Sequence, residues 1–255
     1  MASLDTLGPL ACTTLDLALA YDAMQGYDPS DPVCSNRPAE PVLPTLEAGT
    51  AGLRIAVATG YFKRGASPAA QQAVARIGAV LAASREIEIP EAGRARAAAY
   101  IITAAEGAAV HLGRLRRQAG DFEPFVRDRL IAGAMLPAPL VVAAQKFRRW
   151  YREQVLRLFE SVDAILAPAT PFTAPRLGQQ TVWLDGAELP LRPNIGIFTQ
   201  PISFIGLPVV AVPVALQPLP IGVQIIAPPW REDLALRIAH SLERNGVALA
   251  PRPSA

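Results

Sequence analysis

The sequence predicts an α/β fold in which a largely apolar sheet is covered by helices. Three observations carry that expectation. The 38 residues from Pro193 to Trp230 contain no Asp, Glu, Lys or Arg, yet they hold eight prolines. Prolines at that density forbid a simple membrane-spanning helix, because each removes a backbone donor and clashes with the preceding turn. Several short runs, AILAP at 164–168, VVAVPV at 209–214 and GVQIIAP at 222–228, are apolar without alternation. Strands of that kind belong to the middle of a sheet with both faces covered. Between such runs lie long stretches with helical spacing of apolar residues.

The elements follow in order. Thr13-Thr14-Leu15-Asp16 before LALAYDAMQG reads as a capped helix, with Asp16 where a capping-box acid belongs and Gly26 closing the end. The next 25 residues hold five prolines and read as an irregular surface connection. GLRIAVATGYF (52–62) reads as a buried strand. Ser67-Pro68 supplies an N-cap and a first-turn proline for a helix running to about Ser84. REIEIP alternates as a short strand. A very Ala-rich helix is expected from Glu91 to Gln118, a short helix around Phe125, Leu130, Ile131 and Met135, and a long one from Pro137 to Val162. The long helix carries Lys146, Arg148, Arg149, Arg152 and Arg157, read as a solvated face. Asp185-Gly186 between extended pieces marks a hairpin. Thr199 is placed to cap a short helix that tolerates Pro201 and stops at Gly206. Two strands follow, and a final helix repeats Leu234, Ile238 and Leu242 before Asn245-Gly246.

Composition narrows the function classes. With 255 residues, 51% hydrophobic and 18% charged, the chain has the make-up of a globular protein. A net charge of +2 is too small to argue for nucleic acid or an anionic membrane, so neither is expected as a partner. Arginine outnumbers lysine 22 to 2, a bias read as base composition. Cys12 and Cys34 are too few for a secreted disulfide framework; one bridge stays open to them, and free thiols are expected. His111 and His240 cannot build a His-rich metal site, and no metal-ligand spacing occurs, so neither metal nor cofactor is expected. The first residues lack a basic targeting region, which makes the cytoplasm the expected location.

The blocks FTQPISFIGLPVVAVPV and PIGVQIIAPPWREDLALRIAHSLE resemble the C-terminal end of amidase-signature enzymes. VDAILAPATPFTAPRLG resembles that family's strand into a Pro-x-Thr-Pro turn, and LDTLGPLACTTLDLALAYDAMQG the block after its catalytic core. Within the family the resemblance is to the carboxybiuret hydrolase type. It implies that residues 1–255 are a single partial domain, the C-terminal portion of the amidase-signature fold with a mixed β-sheet covered by helices on both faces. It further implies hydrolysis of a linear amide or urea-like C–N bond by a Ser nucleophile, a second Ser in a cis peptide and a Lys base. The segment expected to carry that set would precede the block that begins here at Ser3. No Gly/Ser-rich nucleophile loop occurs, and Lys63 and Lys146 do not match the family's lysine, so no catalytic residue is assigned and the chain alone is expected to be inactive.

For substrate binding the resemblance singles out two residues. AAAYIITAAEG places Tyr100 near the substrate, and VRDRLIAG places Arg129 where a substrate carboxylate is gripped. The alternatives are a packed helix aromatic for Tyr100 and a surface salt bridge with Asp128 or Glu123 for Arg129. A Ser203–His240 pairing and Cys12 are weaker nucleophile candidates, and Ser67 is read as a cap. The expected partners are a small amide or urea-like substrate in the intact enzyme and the missing N-terminal half, a small partner subunit or a homo-oligomer. Two other readings stay open: a non-catalytic interaction protein that pairs with another amidase chain, and a fragment like the glutamine-hydrolysing component of an amidotransferase.

Overall fold

The computed structural model describes residues 3–250. In chain order its regular elements are helix α1 (Thr14–Met24), strand β1 (Ile55–Ala58), α2 (Pro68–Val80), β2 (Arg85–Ile87), α3 (Ala92–Gln118), α4 (Pro124–Ala134), α5 (Ala138–Leu158), β3 (Ala164–Pro168), β4 (Thr181–Leu184), β5 (Ala187–Pro190), α6 (Leu191–Asn194), α7 (Gln200–Ser203), β6 (Val209–Val214), β7 (Ile221–Ile226) and α8 (Glu232–Arg244). They fall into two units. A helical unit holds residues 3–6, Pro90–Gln154 and Gln200–Gly206; a sheet unit holds Leu7–Ile89, Val155–Thr199 and residues 207–250. Among the described residues no single helix is long and apolar enough to cross a membrane.

The sheet unit is built on five strands in the order β2-β1-β3-β7-β6. β2, β1 and β3 run parallel, whereas β7 is antiparallel to both β3 and β6. The sheet is therefore mixed and helices flank it, as expected. Register sets the faces: Val57, Leu166, Ile225 and Val210 pair laterally and so point to one side. α2 covers that side at Gly78, where an added Cβ would lie 3.5 Å from Val57 Cγ2. α8 covers it through Leu236, which packs with Val210 and with Ala18 of α1. On the other side Ala56, Ile165 and Ile226 are buried, but Val209 in the same lateral row is 38% exposed.

That exposure corrects one expectation. VVAVPV is not an interior strand: β6 is the sheet edge. Pro213 explains why an apolar run sits there, since a residue without an amide proton fits an edge better than a central ladder. β7, with Ile225 and Ile226 fully buried, is the strand that meets the interior reading.

Element ends follow local chemistry. The Thr13 hydroxyl accepts from the Asp16 amide at 3.1 Å and donates to its carboxylate at 2.7 Å. Ser67 caps α2 through the Ala70 amide at 3.3 Å, but α2 stops at Val80, before the expected Ser84. Asp185 and Gly186 take φ of +51° and +77° between β4 and β5, the conformation a two-residue hairpin needs. After α8, Gly246 at φ +69° lets Val247 donate to the Leu242 carbonyl at 3.0 Å, a Schellman ending. Thr199 is not a cap: its hydroxyl donates to the Gly196 carbonyl at 3.3 Å.

In the helical unit, small residues set the packing distance. α3 buries Ala92, Ala95, Ala98, Ala99, Gly107 and Ala108. Gly133 of α4 approaches so closely that a Cβ there would overlap the Ala104 carbonyl. Of the apolar residues expected to mark α4, only Leu130 is buried; Phe125, Ile131 and Met135 are exposed. The basic face of α5 is not uniformly solvated either. Arg148 is half-buried, and it donates from Nε to the Phe204 carbonyl and from Nη2 to the Ser3 carbonyl, both at 2.6 Å. Burial holds its guanidinium below its ordinary pKa.

Two stability predictions follow from this packing. Gly133→Ala forces α4 away from α3, and overpacking of that kind costs about 1–3 kcal/mol; urea denaturation should show it, and an unchanged midpoint would contradict the close approach. In the sheet unit, burial first, then Asp233 and Glu40, raise the Glu232 pKa, and burial with Glu232 pushes Tyr21 up to about 12. A carboxyl raised on folding costs nothing when both states are protonated, at pH below about 4. The cost enters as pH rises through the folded pKa. Glu232→Gln should therefore match or exceed wild-type stability at pH 7, with the advantage vanishing at pH 4. Thermal melts at the two pH values test this, and an equal difference at both would refute it.

Candidate functional site

The site is assembled in the helical unit from one face of α3. Arg96, Tyr100 and Thr103 lie at successive turns, where spacings of three and four residues align side chains. α4 contributes Arg129 and α7 contributes Gln200. The Arg129 guanidinium carbon lies 5.0 Å from the centroid of the Tyr100 ring, and Nη2 bonds the Thr103 hydroxyl in a short contact. The Arg96 guanidinium carbon lies 5.6 Å from the same centroid, and its Nε donates to Gln200 Oε1 at 3.0 Å. Both cations thus lie over one aromatic ring, within cation–π reach of its face.

The two residues singled out from sequence, Tyr100 and Arg129, are brought into contact. The salt-bridge alternative for Arg129 does not hold. Arg127 takes Asp128 at 2.9 Å, and Glu123 accepts from the Val126 amide at 2.9 Å as the α4 cap. Among the described residues no ion pair involves Arg129, which is exposed on α4. An exposed guanidinium with a neutral hydroxyl and a ring beside it can take a carboxylate in a two-pronged bond. Sequence reasoning missed Arg96, although its position four residues before Tyr100 was available as a signal.

The other candidates are engaged elsewhere. Ser203 Oγ donates to the Gln200 carbonyl at 3.3 Å, while His240 Nδ1 meets the Thr14 hydroxyl at 2.7 Å. Neither is arranged as a nucleophile with its base. His111 stacks edge-on against Phe122 with centroids 5.7 Å apart. Cys12 is an exposed free thiol, and Cys34 is also free. Lys146 is exposed on α5. Lys63 lines a cavity of about 470 Å³ in the sheet unit, at the ends of β1 and β3, whose walls include Val57, Phe62 and Pro168. Among the described residues no three His, Cys, Asp or Glu side chains gather as a metal site.

One buried polar residue fixes the turn that leads into α7. Gln224 of β7 is 2% exposed, and its Nε2 donates to the Pro168 carbonyl at 2.8 Å and the Phe198 carbonyl at 3.0 Å. It joins the end of β3 to the residue two positions ahead of Gln200.

Comparison with known proteins bears out the family resemblance read from the sequence. Over 249 residues it is 48% identical to the AtzE component of 1-carboxybiuret hydrolase from Pseudomonas sp. (strain ADP), covering 96% of this chain and 54% of that protein. It is 31% identical to the A component of the glutamyl-tRNA(Gln) amidotransferase of Azotobacter vinelandii, covering 95% of this chain and 55% of that one. The chain therefore spans about half the length of these relatives. Among solved structures, a chain from a vestigial protein complex tied to the evolutionary origins of an s-triazine catabolic enzyme superposes with a TM-score of 0.93 at 47% identity, over 95% of this chain and 54% of that one. The corresponding amidotransferase component of Thermotoga maritima superposes with a TM-score of 0.74 at 27% identity, over 95% and 53%. The family model described as Amidase matches residues 1–236. The family-model match along nearly the whole chain and the identities to these relatives converge on one conclusion: this chain belongs to the amidase family.

Proposed function

We propose that this chain is the substrate-recognising part of an amidase that hydrolyses a linear amide or urea-like C–N bond in a carboxylate-bearing substrate such as 1-carboxybiuret. The observation that carries the reading is the Tyr100–Arg129 pair, in which a guanidinium without an ion-pair partner among the described residues lies beside an aromatic ring. The 48% identity to a carboxybiuret hydrolase component supports the choice of substrate. The division of labour is that Arg129 holds the carboxylate and Tyr100 supports the planar amide or urea group. The nucleophile and its base come from outside these residues, because Ser203 and His240 are otherwise bonded and, among the described residues, Lys146 is exposed on α5 and Lys63 lines the cavity of the sheet unit. The exposed β6 edge supports docking of a further chain or segment there. Free thiols at Cys12 and Cys34 support a reducing compartment such as the cytoplasm.

Two measurements test this. The purified chain should release no ammonia from 1-carboxybiuret, biuret or acetamide; turnover that is lost on Ser203→Ala or Cys12→Ala would show a nucleophile of its own and overturn the division of labour. Calorimetric titration should show oxamate, which has an amide beside a carboxylate, binding about tenfold or more tightly than neutral oxamide. Arg129→Gln should abolish that preference. Equal binding of the two ligands to the wild-type chain would refute carboxylate recognition.

A further inference from the structure

We infer that Thr103 is the positioning residue of the proposed carboxylate site and fixes which edge of the Arg129 guanidinium meets the substrate. The inference rests on the carboxylate-recognition reading above and deepens it. Helix packing brings the two residues together. Gly133 of α4 lies against the backbone carbonyl of Ala104, the residue beside Thr103 on α3. Arg129 stands one turn before Gly133, on the same face of α4. Its side chain therefore starts one turn from the point where α4 touches α3. Nη2 donates to the Thr103 hydroxyl, while the guanidinium carbon lies 5.0 Å from the Tyr100 ring centroid.

The polarity of the Thr103 hydroxyl is set by its own helix. A threonine hydroxyl has one hydrogen and two lone pairs. The hydrogen is directed to the backbone of α3, with the Ala99 carbonyl at 2.8 Å and the Tyr100 carbonyl at 3.2 Å. Toward α4 the oxygen only accepts, and Arg129 supplies the donor. A guanidinium offers two two-pronged edges, one formed by its terminal nitrogens and one by Nε with Nη2. Nη2 contributes one hydrogen to each edge, so its bond to Thr103 occupies one edge and leaves the other complete for a carboxylate. Thr103 is neutral, so it orients the fork without cancelling its charge. A fork without this anchor samples several rotamers and loses them on binding, and ordering one such side chain lowers affinity about three- to tenfold. A neutral amide takes no two-pronged bond from the fork and gains little from a fixed edge.

The test uses the full chain, with oxamate and oxamide as probes in calorimetric titration. Thr103→Val keeps the shape and removes the acceptor; it should weaken oxamate about three- to tenfold and leave oxamide unchanged. Thr103→Ser, which keeps the hydroxyl, should bind oxamate as the wild-type chain does. Arg129→Lys replaces the fork with a compact ammonium that has no plane to fix. Adding Thr103→Val to Arg129→Lys should therefore leave oxamate binding unchanged. Wild-type oxamate affinity in Thr103→Val, or an equal loss with and without Arg129→Lys, overturns the inference and leaves the role of Arg129 intact. Equal binding of both probes to the wild-type chain overturns both. Circular dichroism checks folding. If Thr103→Val does not fold, nuclear magnetic resonance of the Arg129 guanidinium in the wild-type chain decides, with its signals assigned by their loss in Arg129→Gln. Separate signals for the two terminal nitrogens bear out a held fork; one signal averaged by free rotation overturns it.

Discussion

The structure depends on how a chain rich in proline and poor in charge satisfies its buried backbone. A proline brings no amide proton, so the backbone around it is short of donors. Gln224 supplies a donor to two buried carbonyls at once. Its amide donates to Pro168, the last residue of β3, and to Phe198, in the turn that precedes α7. A buried carbonyl without a donor costs about 1–3 kcal/mol. No apolar residue at this position of β7 can replace the amide, although every other side chain between Val223 and Ile226 is aliphatic. One polar side chain inside an apolar strand therefore fixes where two turns lie.

From that constraint the order of layers follows. β3 and β7 form the centre, where both faces are buried, and the lateral rows run out to β6, where burial fades at Val209. α8 and α1 complete the covered face. α1 is held there by its own start: the Thr14 amide donates to the Glu243 carboxylate at 2.7 Å, and the Thr14 hydroxyl bonds both Glu243 and His240. A carboxylate at the first turn of a helix meets unpaired amides and the positive end of the helix dipole. Glu243 thus acts as a cap supplied by a different helix, a role that no local spacing reveals.

What was legible in the sequence divides along the same line. Local signals were sufficient for Thr13, Ser67, the Asp185-Gly186 turn and Gly246, because each acts within a few residues of itself. The identity of the sheet strands was legible from apolar runs. Their positions were not, since VVAVPV and GVQIIAP look equally interior and only pairing distinguishes an edge from a centre. For the site, resemblance pointed to Tyr100 and Arg129, but the partners of Arg129 depend on helix–helix geometry. Asp128 is adjacent in sequence, yet it pairs with Arg127, and Thr103 of α3 is the group that Arg129 reaches. The bond between Arg96 and Gln200 escaped notice for the same reason: the two residues lie 104 positions apart.

The arginines supply the last step. A preference for arginine over lysine was read as compositional, yet the structure uses the extra donors. Arg54 bonds the Asp163 carboxylate and the Glu160 carbonyl; Arg148 bonds two carbonyls; Arg76 and Arg85 donate to Ala215 and Ser161 carbonyls. Arg237 likewise reaches the carbonyls of Ala48 and Gly49. Lysine, with one compact charge on a flexible stem, cannot bridge fixed acceptors in this way. These residues act as staples, because the groups they satisfy are backbone carbonyls or a carboxylate of the chain itself. Arg129 differs in kind. Its neighbours are a hydroxyl and a ring, which orient a guanidinium without neutralising it. A cation that the fold orients but does not neutralise retains its attraction for an anion from outside, and that distinction is the ground on which recognition is proposed for Arg129.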